Sequence, residues 1–371
     1  MDFSYGDEQR AAIELAREIL SDHCSPQRLR ALEQTNGPRF DRDLWSKIAN
    51  SGLIAAGISE ADGGAGLGFI AVAGILEQVG RTVAPVPLLE TSVLGVLPLA
   101  EFGTPAQKKT WLPPVLQGDV VATAALVEPH RDPAQPETRA VLDASRYRIS
   151  GRKLCVPAGP IADLMLVPAA LADGGVGVFL VESAASGVKH IELATTSLQP
   201  ESLLELDGAP GDLLGNPNRG AEIVRWLELR ATAALCAFAA GVCAEALRLT
   251  AEYTKTRKQF GQPIATFQAV GQRAADAFVD TEAVRLTALQ AAWRIHAGLP
   301  AEAAVATAKI WAAQAGSRVV RAAQHLHGGV GVDREYPLHR YYVHARQLEL
   351  TLGGGEQQLR RLGRLIAADA A

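Results

Sequence analysis

The sequence is poor in cysteine, methionine and aromatic residues. Its 371 residues include 4 Cys, 2 Met and 5 Trp, and aromatic side chains make up 5% of the chain. The cysteines, Cys24, Cys155, Cys236 and Cys243, form no CxxC pair. Because Cys236 and Cys243 lie in an apolar helical stretch, buried free thiols are favoured there over metal ligands or disulfides.

The chain also lacks an excess of positive charge and long apolar runs. Its formal net charge is -4 and its pI is near 6.1, which gives no reason to expect nucleic acid as a partner. No segment offers about 18 uninterrupted apolar residues, so we expect no membrane span. The opening MDFSYGDEQR lacks the basic start and apolar run of a signal peptide, which favours the cytoplasm.

The hydrophobic pattern of the sequence changes along the chain. Residues 7–118 read mostly as amphipathic helices. Short β-prone runs such as YRISGRKLCV and VGVFLVES follow, separated by turn residues, and the helical period returns from Ala221 to the end. The length of the whole chain predicts two or three domains. The predicted domains are a helical domain at 1–118, a β domain at 119–215 and a helical bundle at 216–371.

Two C-terminal segments are unusual for packing alone. The first, TRKQFGQPIATFQAV (256–270), reads from its residues as a helix end with basic side chains followed by a Gly/Pro turn. The second, QHLHGGVGVDREYPLHRYY (324–342), places a glycine cluster where the backbone can approach another molecule closely. Its histidines show no spacing typical of metal ligands, so we predict no metal at His325, His327 and His339.

Together these segments resemble the acyl-CoA dehydrogenase family. RKQFGQPI resembles the family's Arg-x-x-Phe-Gly flavin motif, and HLHGGVGV with the following EYP resembles its Gln-x-x-Gly-Gly-x-Gly motif. GGAGLG, GTPAQKKTWLPPVLQGD, LVEP and ISGRK extend the resemblance over nearly the whole chain. It implies the acyl-CoA dehydrogenase fold, which is mainly α and multidomain, with a helical N-domain, a central antiparallel β domain and a C-terminal four-helix bundle.

The resemblance also implies a cofactor and partners. The cofactor is FAD, the substrate is an acyl-CoA thioester, the electron acceptor is an electron-transfer flavoprotein, and the chains assemble as a tetramer. In the family, one chain's arginine and glycine segments hold the FAD of its neighbour. His325 stands where the family usually has Gln. The implied FAD contacts are Arg257, Gln259, Phe260, Gly261, Gln324, His325, Gly328 and Gly329.

The sequence departs from the family at the catalytic base. A family glutamate removes the α-proton of the acyl-CoA while a hydride passes to the flavin. Counting from the EYP motif places Leu352 at that position, and a leucine cannot accept a proton. The glycines 353–355 after it predict a bend. Two weaker candidates for a base remain, Glu228 and Glu356, and both are also explained as ordinary helix carboxylates.

The predicted β domain departs as well. The family's TEPGAGSD loop corresponds to VEPHRDP (127–133), which keeps Glu-Pro and lacks Gly-Ser-Asp. The family's Trp-Ile-Thr run, which contacts the isoalloxazine, corresponds to Cys155, Val156 and Pro157. A proline has no amide hydrogen to donate to a flavin, and a cysteine side chain cannot replace an indole ring that stacks on the isoalloxazine.

One half of a flavin site is therefore retained and the other half is lost. This pattern predicts a non-catalytic subunit of a heteromeric α2β2 acyl-CoA dehydrogenase that lends FAD contacts to a paralogous catalytic subunit. By analogy with bacterial assemblies of this kind, the substrate is expected to be bulky, such as a steroid side-chain thioester. Two alternatives stay open: an active homotetramer using Glu228 or Glu356, and a flavin-free structural or interaction protein.

Overall fold

The structure is a computed structural model and describes residues 3–35, 37–144 and 146–369. A π-helix spans Glu90–Val96, and short 3-10 turns connect other elements. The described residues form eleven α-helices: α1 (Asp7–His23), α2 (Pro26–Glu33), α3 (Arg42–Asn50), α4 (Gly68–Thr82), α5 (Leu97–Phe102), α6 (Pro105–Leu116), α7 (Gly220–Thr256), α8 (Gln268–His296), α9 (Glu302–His327), α10 (Leu338–Leu350) and α11 (Gly355–Asp369).

The strands form one sheet and one short hairpin. The sheet runs β1-β4-β2-β3-β7-β5, with β6 on β7, and β5 also pairs with β4, so the path closes on itself. β8 and β9 form the hairpin. In the described ranges the strands are β1 (Ala122–Ala124), β2 (Arg139–Asp143), β3 (Arg146–Pro157), β4 (Leu164–Ala170), β5 (Val176–Glu182), β6 (Val188–Leu193), β7 (Glu201–Leu213), β8 (Lys258–Gln259) and β9 (Gln262–Pro263).

The sheet is mostly antiparallel, as the turn-rich sequence predicts. β4 and β5 pair antiparallel from Leu164 opposite Glu182 to Ala170 opposite Val176. Both strands are apolar runs that are buried along most of their length. β1 pairs with β4 in parallel, with Ala122 opposite Leu164. This parallel pair is possible because the long connection between them carries the β2–β3 hairpin.

Contacts divide the chain into two compact units. One unit holds the described residues of 1–31, 69–84 and 232–371 and is helical. In it α8, α10 and α11 pack on α9. The other unit holds 32–68 and 85–231, and there the π-helix packs on β1 of the sheet. The three-domain division made from the sequence stays a prediction.

α7 is the long apolar helix that the sequence predicts. By length and composition it could cross a membrane, with an 18-residue window of mean hydropathy 1.5, but 78% of that window is buried inside the protein. Such burial is typical of a core helix. Cys236 and Cys243 are buried free thiols within it, which confirms that prediction.

Candidate cofactor-binding site

The first predicted cofactor segment folds as a tight hairpin directly after α7. β8 pairs with β9, and at the turn between them Phe260 and Gly261 have φ angles of 52° and 80°. Two positive φ values in succession are typical of a type I′ turn, which explains the glycine locally. Phe260 is 92% exposed at the tip, and its ring meets Phe267 edge-on at 6.2 Å. A hairpin tip that presents an aromatic ring is suited to contact another molecule.

Arg257 precedes this hairpin with a fixed backbone and an available side chain. Its N–H donates to the carbonyl of Tyr253 and its carbonyl accepts from the N–H of Ile264, both at 2.8 Å. Its side chain is exposed and has no hydrogen-bond or ion-pair partner among the described residues. Gln259 is exposed beside it. A guanidinium held in place at its backbone is suited to bind a diphosphate.

The second predicted segment lies at the end of α9. The helix ends at His327, and Gly328–Val332 follows as one 3-10 turn. A Cβ added at Gly331 would lie 2.7 Å from the carbonyl oxygen of Gln324, whereas one added at Gly329 would meet no described atom within 4 Å. Packing therefore explains Gly331 and does not explain Gly329. The open backbone at Gly329 leaves room for a ligand to approach.

The flanking residues of this turn are accessible to different degrees. His325 and Gly328 are exposed, and Gln324 is half-buried. One histidine of the segment has a backbone partner: Nδ1 of His339 lies 2.7 Å from the carbonyl oxygen of Tyr336. Among the described residues no group of three His, Cys, Asp or Glu side chains could hold a metal ion.

A cluster of three rings around the buried His327 joins the two segments. Tyr253, in the last turn of α7, stacks on His327 with ring centroids 4.4 Å apart and an interplanar angle of 22°. Tyr336 of the EYP motif packs against the same imidazole at 5.1 Å. Arg257 lies four residues after Tyr253, and Gly328 follows His327 directly. The structure thus brings the two predicted cofactor segments to one end of the helical unit. Sequence reasoning missed this cluster, although the second segment contains His327 and Tyr336.

The loop at the predicted base position lies at the other end of α10. α10 has 13 residues, so the loop is about 20 Å along the helix axis from the EYP motif. Leu352 and Gly353 have φ angles of 53° and 94°, and Gly355 already begins α11. The bend therefore starts at Leu352, one residue before the glycine run that was predicted to form it. The Leu352 carbonyl accepts a hydrogen bond from Nε2 of Gln358 at 3.0 Å.

The two alternative carboxylates lie in different surroundings. Glu356 is in the first turn of α11, its side chain is 78% exposed, and it pairs with Arg360 at 2.5 Å. A base that removes an α-proton works in a water-excluded pocket, which an exposed carboxylate does not have. Glu228 is half-buried on α7 and interacts with other described groups. The assignment of a base stays a prediction.

A buried lysine holds the end of α10 just before this loop. Lys309 of α9 is 0% exposed, and its Nζ donates to the carbonyl oxygens of Leu348 and Glu349. Burial lowers the pKa of Lys309, and the charges of Cys236 and Glu349 offset part of this effect. The net pKa is about 8. The sequence did not indicate this role, because one lysine in an alanine-rich helix reads as a solvated position.

The substitution Lys309→Met is expected to remove a pH dependence of stability. The pKa of Lys309 in the fold, about 8, lies below its ordinary 10.5. The wild-type free energy of unfolding therefore rises as pH increases from about 8 to about 10.5, by about 3 kcal/mol, and this gain is lost as pH falls. Urea unfolding at about pH 7.5 and about pH 9.5 measures the difference from Lys309→Met. Lys255→Met, at an exposed site, is the control. Equal pH slopes for the wild type and Lys309→Met would contradict the prediction.

A buried ion pair anchors the 127–133 loop to the sheet. Lys153 is 0% exposed, and its Nζ lies 2.6 Å from Oε1 of Glu128 and 2.7 Å from the carbonyl oxygen of Pro168. Glu128 also accepts from the backbone N–H groups of Glu137 and Thr138. Burial raises the pKa of Glu128, but the bond and charge of Lys153 outweigh it, so the pKa is lowered.

The residues predicted to replace the family's Trp-Ile-Thr run lie at the end of β3. Cys155 is exposed with a φ of 47°, and the register of β3 on β7 shifts between Lys153 and Val156. Desolvation raises the pKa of the Cys155 thiol, and the charge of Glu201 raises it further. The carbonyl of Pro157 accepts from the Thr123 hydroxyl at 2.7 Å. The side chains of Cys155, Val156 and Pro157 thus offer a flavin no hydroxyl and no indole, and Pro157 has no amide hydrogen.

Comparison with known proteins gives consistent matches along the chain. Residues 6–119 match the acyl-CoA dehydrogenase N-terminal domain, and residues 218–367 match the C-terminal domain. The chain is 40% identical to acyl-CoA dehydrogenase FadE27 of Mycobacterium tuberculosis, over 100% of both chains. It resembles the crystal structure of the ChsE4-ChsE5 complex from Mycobacterium tuberculosis, with a TM-score of 0.93, 40% identity and 99% coverage of each chain. It also resembles a variant of the Tcur3481-Tcur3483 steroid ACAD, with a TM-score of 0.92, 42% identity and 99% coverage of each chain.

The cofactor predicted from the sequence agrees with these matches. PigA, solved with FAD and proline, has a TM-score of 0.91 to this chain at 26% identity, with 99% of each chain covered. The exposed cation of Arg257 and the open backbone at Gly329 suit the anionic diphosphate of FAD. The two domain matches and the similarity over the full length show that this chain belongs to the acyl-CoA dehydrogenase family, whose members are FAD-dependent oxidoreductases.

Proposed function

We propose that this chain is the non-catalytic subunit of a heteromeric acyl-CoA dehydrogenase and lends FAD contacts to a paralogous catalytic subunit. The observation that carries the proposal is an exposed surface at one end of the helical unit, which we call the lending surface. It is formed by Arg257, the hairpin tip at Phe260 and Gly261, and the turn at Gly328 and Gly329. There the Arg257 side chain has no partner among the described residues, and Phe260 is 92% exposed. A surface with these features is built for a ligand that its own unit does not cover.

The residues of this surface have complementary parts in the proposed binding. Arg257 would donate hydrogen bonds to the diphosphate, and the open turn at Gly328 and Gly329 would let backbone amides approach it. Phe260 would pack against the ligand or the partner subunit at the hairpin tip. Bound FAD supplies the hydride acceptor for α,β-desaturation of an acyl-CoA thioester.

The loop at the chain's own predicted base position supports a non-catalytic role. Leu352 stands where the family has its base, and its backbone is held by Gln358. The Leu352 loop lies about 20 Å along α10 from the lending surface, so the loop and the surface belong to different sites. At β3, Cys155 and Pro157 provide neither the indole, the hydroxyl nor the amide hydrogen with which the family binds an isoalloxazine.

The comparisons support the partner and substrate parts of the proposal. The similarity to the ChsE4-ChsE5 complex favours a heteromer over a homotetramer. The similarity to a steroid ACAD favours a bulky acyl group, such as a steroid side-chain thioester. The proposed electron acceptor is an electron-transfer flavoprotein, and the proposed compartment is the cytoplasm.

The flavin-to-chain ratio of the natively purified complex tests the proposal. We expect one flavin for every two chains, and no flavin absorbance when this chain is purified alone. An active homotetramer would instead show one flavin per chain and bleaching of that flavin by acyl-CoA. A flavin-free interaction protein would leave the complex with its partner colourless. Either of these outcomes would overturn the proposed role.

A further inference from the structure

His327 is the shared contact of three chain segments at the lending surface. One face of its ring stacks on Tyr253 of α7 at 4.4 Å, and Tyr336 of the EYP motif packs on it at 5.1 Å. Tyr253 and Tyr336 also meet edge-on at 6.3 Å. The backbone of His327 itself is the last residue of α9. The imidazole therefore lies where the ends of α7 and α9 meet the segment that leads into α10.

The ring is held by both of its nitrogens. Nδ1 lies 2.8 Å from the carbonyl oxygen of Ala323, and Nε2 lies 3.1 Å from the hydroxyl of Tyr336. His327 is 3% exposed, and burial lowers its pKa. The neutral ring then donates from Nδ1 to Ala323 and accepts at Nε2 from Tyr336. With both nitrogens bonded, the imidazole has one orientation.

The ring is connected to both cofactor segments, to Arg257 through Tyr253 and to the glycine turn directly. The carbonyl of Tyr253 accepts from the backbone N–H of Arg257 at 2.8 Å, so the stacked tyrosine fixes the turn that carries the guanidinium. On the other side, Gly328 follows His327 with a φ of 62° and begins the open turn. A Cβ added at Gly331 would lie 3.1 Å from Cβ of His327, so the turn also packs back on this residue.

We infer that His327 is a positioning residue that sets Arg257 and the Gly328–Gly329 turn at the separation needed to hold one FAD. The inference rests on the proposed lending function. Without the imidazole, Tyr253 and Tyr336 lose their common surface, and the ends of α7 and α9 can shift independently. Two contacts that are no longer pre-organised bind one ligand more weakly, because binding must then order them.

The test is a double-mutant cycle on FAD affinity in the complex with the native partner. FAD dissociation constants are measured for His327→Ala, Arg257→Ala and the pair. We expect each single change to weaken FAD binding by about 10-fold or more, and the pair to weaken it by clearly less than the product of the two single effects. His327 acts partly through Arg257, so the His327→Ala effect is expected to be smaller once Arg257 is gone. Thermal midpoints, in contrast, report only general stability.

Two further variants complete the test. His296→Ala removes an exposed histidine of α8 in the same unit and is expected to leave FAD affinity unchanged. Tyr336→Phe keeps the ring packing and removes only the bond to Nε2, so about a 3- to 5-fold weakening is expected. If His327→Ala prevents assembly of the complex, Tyr336→Phe decides, and unchanged affinity overturns the inference.

The outcomes separate the inference from the proposed function. Additive effects of His327→Ala and Arg257→Ala on FAD affinity would overturn the positioning role and leave the lending role intact. The same holds if Arg257→Ala weakens binding and His327→Ala does not. Unchanged FAD affinity in Arg257→Ala would overturn both, since no lent contact would then exist to be positioned.

Discussion

Replacing Glu128 by alanine is expected to destabilise the chain by about 3–5 kcal/mol. The change leaves the Lys153 ammonium at 0% exposure without its carboxylate, which lies 2.6 Å away in the wild type. It also removes the acceptor for the backbone N–H groups of Glu137 and Thr138. Urea unfolding of the purified chain measures the loss as a lower midpoint.

Matched variants isolate the buried pair as the cause. Glu137→Ala removes a carboxylate from the same connection between β1 and β2. This carboxylate pairs at the surface with Arg131, and the cost is expected to stay below about 1 kcal/mol. The double change Glu128→Leu with Lys153→Met removes both charges and is expected to recover part of the loss. A cost for Glu128→Ala as small as that of Glu137→Ala would contradict the prediction.

The same pair predicts a pH effect. Because the pKa of Glu128 is lowered in the fold, its stabilising contribution is present above the ordinary value of 4.5 and is lost as pH falls through the lowered pKa. The gap in free energy of unfolding between the wild type and Glu128→Ala should therefore narrow in acid. A gap that stays constant down to about pH 3 would show that the carboxylate charge is not what stabilises the loop.

Replacing Arg257 by alanine is expected to weaken FAD binding by the native complex by about 10- to 100-fold. The guanidinium is exposed on a fixed backbone and would make charge-assisted hydrogen bonds to the diphosphate. Arg257→Lys should fall between the wild type and alanine, because a lysine keeps the charge and loses the planar fork. FAD titration of the flavin-depleted complex measures all three.

A nearby cation serves as the control for Arg257. Lys255 lies in the last turn of α7, two residues before Arg257, and pairs with Glu252 at the surface. Lys255→Ala should change FAD affinity by less than about twofold, since an exposed charge is screened by solvent and salt. If both alanine variants weaken binding equally, the effect is one of general charge, and the specific contact assigned to Arg257 is wrong.

Much of the fold was predictable because its signals are local. The apolar runs of β4 and β5, the period of the bundle helices and the turn residues around Gly261 depend on neighbours within a few positions. The two motif segments were recognisable for the same reason. The parallel pairing of β1 with β4 was not, because it depends on which distant strand occupies the neighbouring place in the sheet.

The sequence alone indicated the family and the change from helices to strands and back, and it predicted two cofactor segments and a leucine at the base position. Only the tertiary structure decided that Tyr253, His327 and Tyr336 form one cluster, that Lys309 binds the end of α10, and that Lys153 pairs with Glu128. Helical and strand periods report which face of an element is apolar. They do not report which distant side chain that face meets. Contacts between residues far apart in sequence form only when whole elements pack, and those contacts place the site.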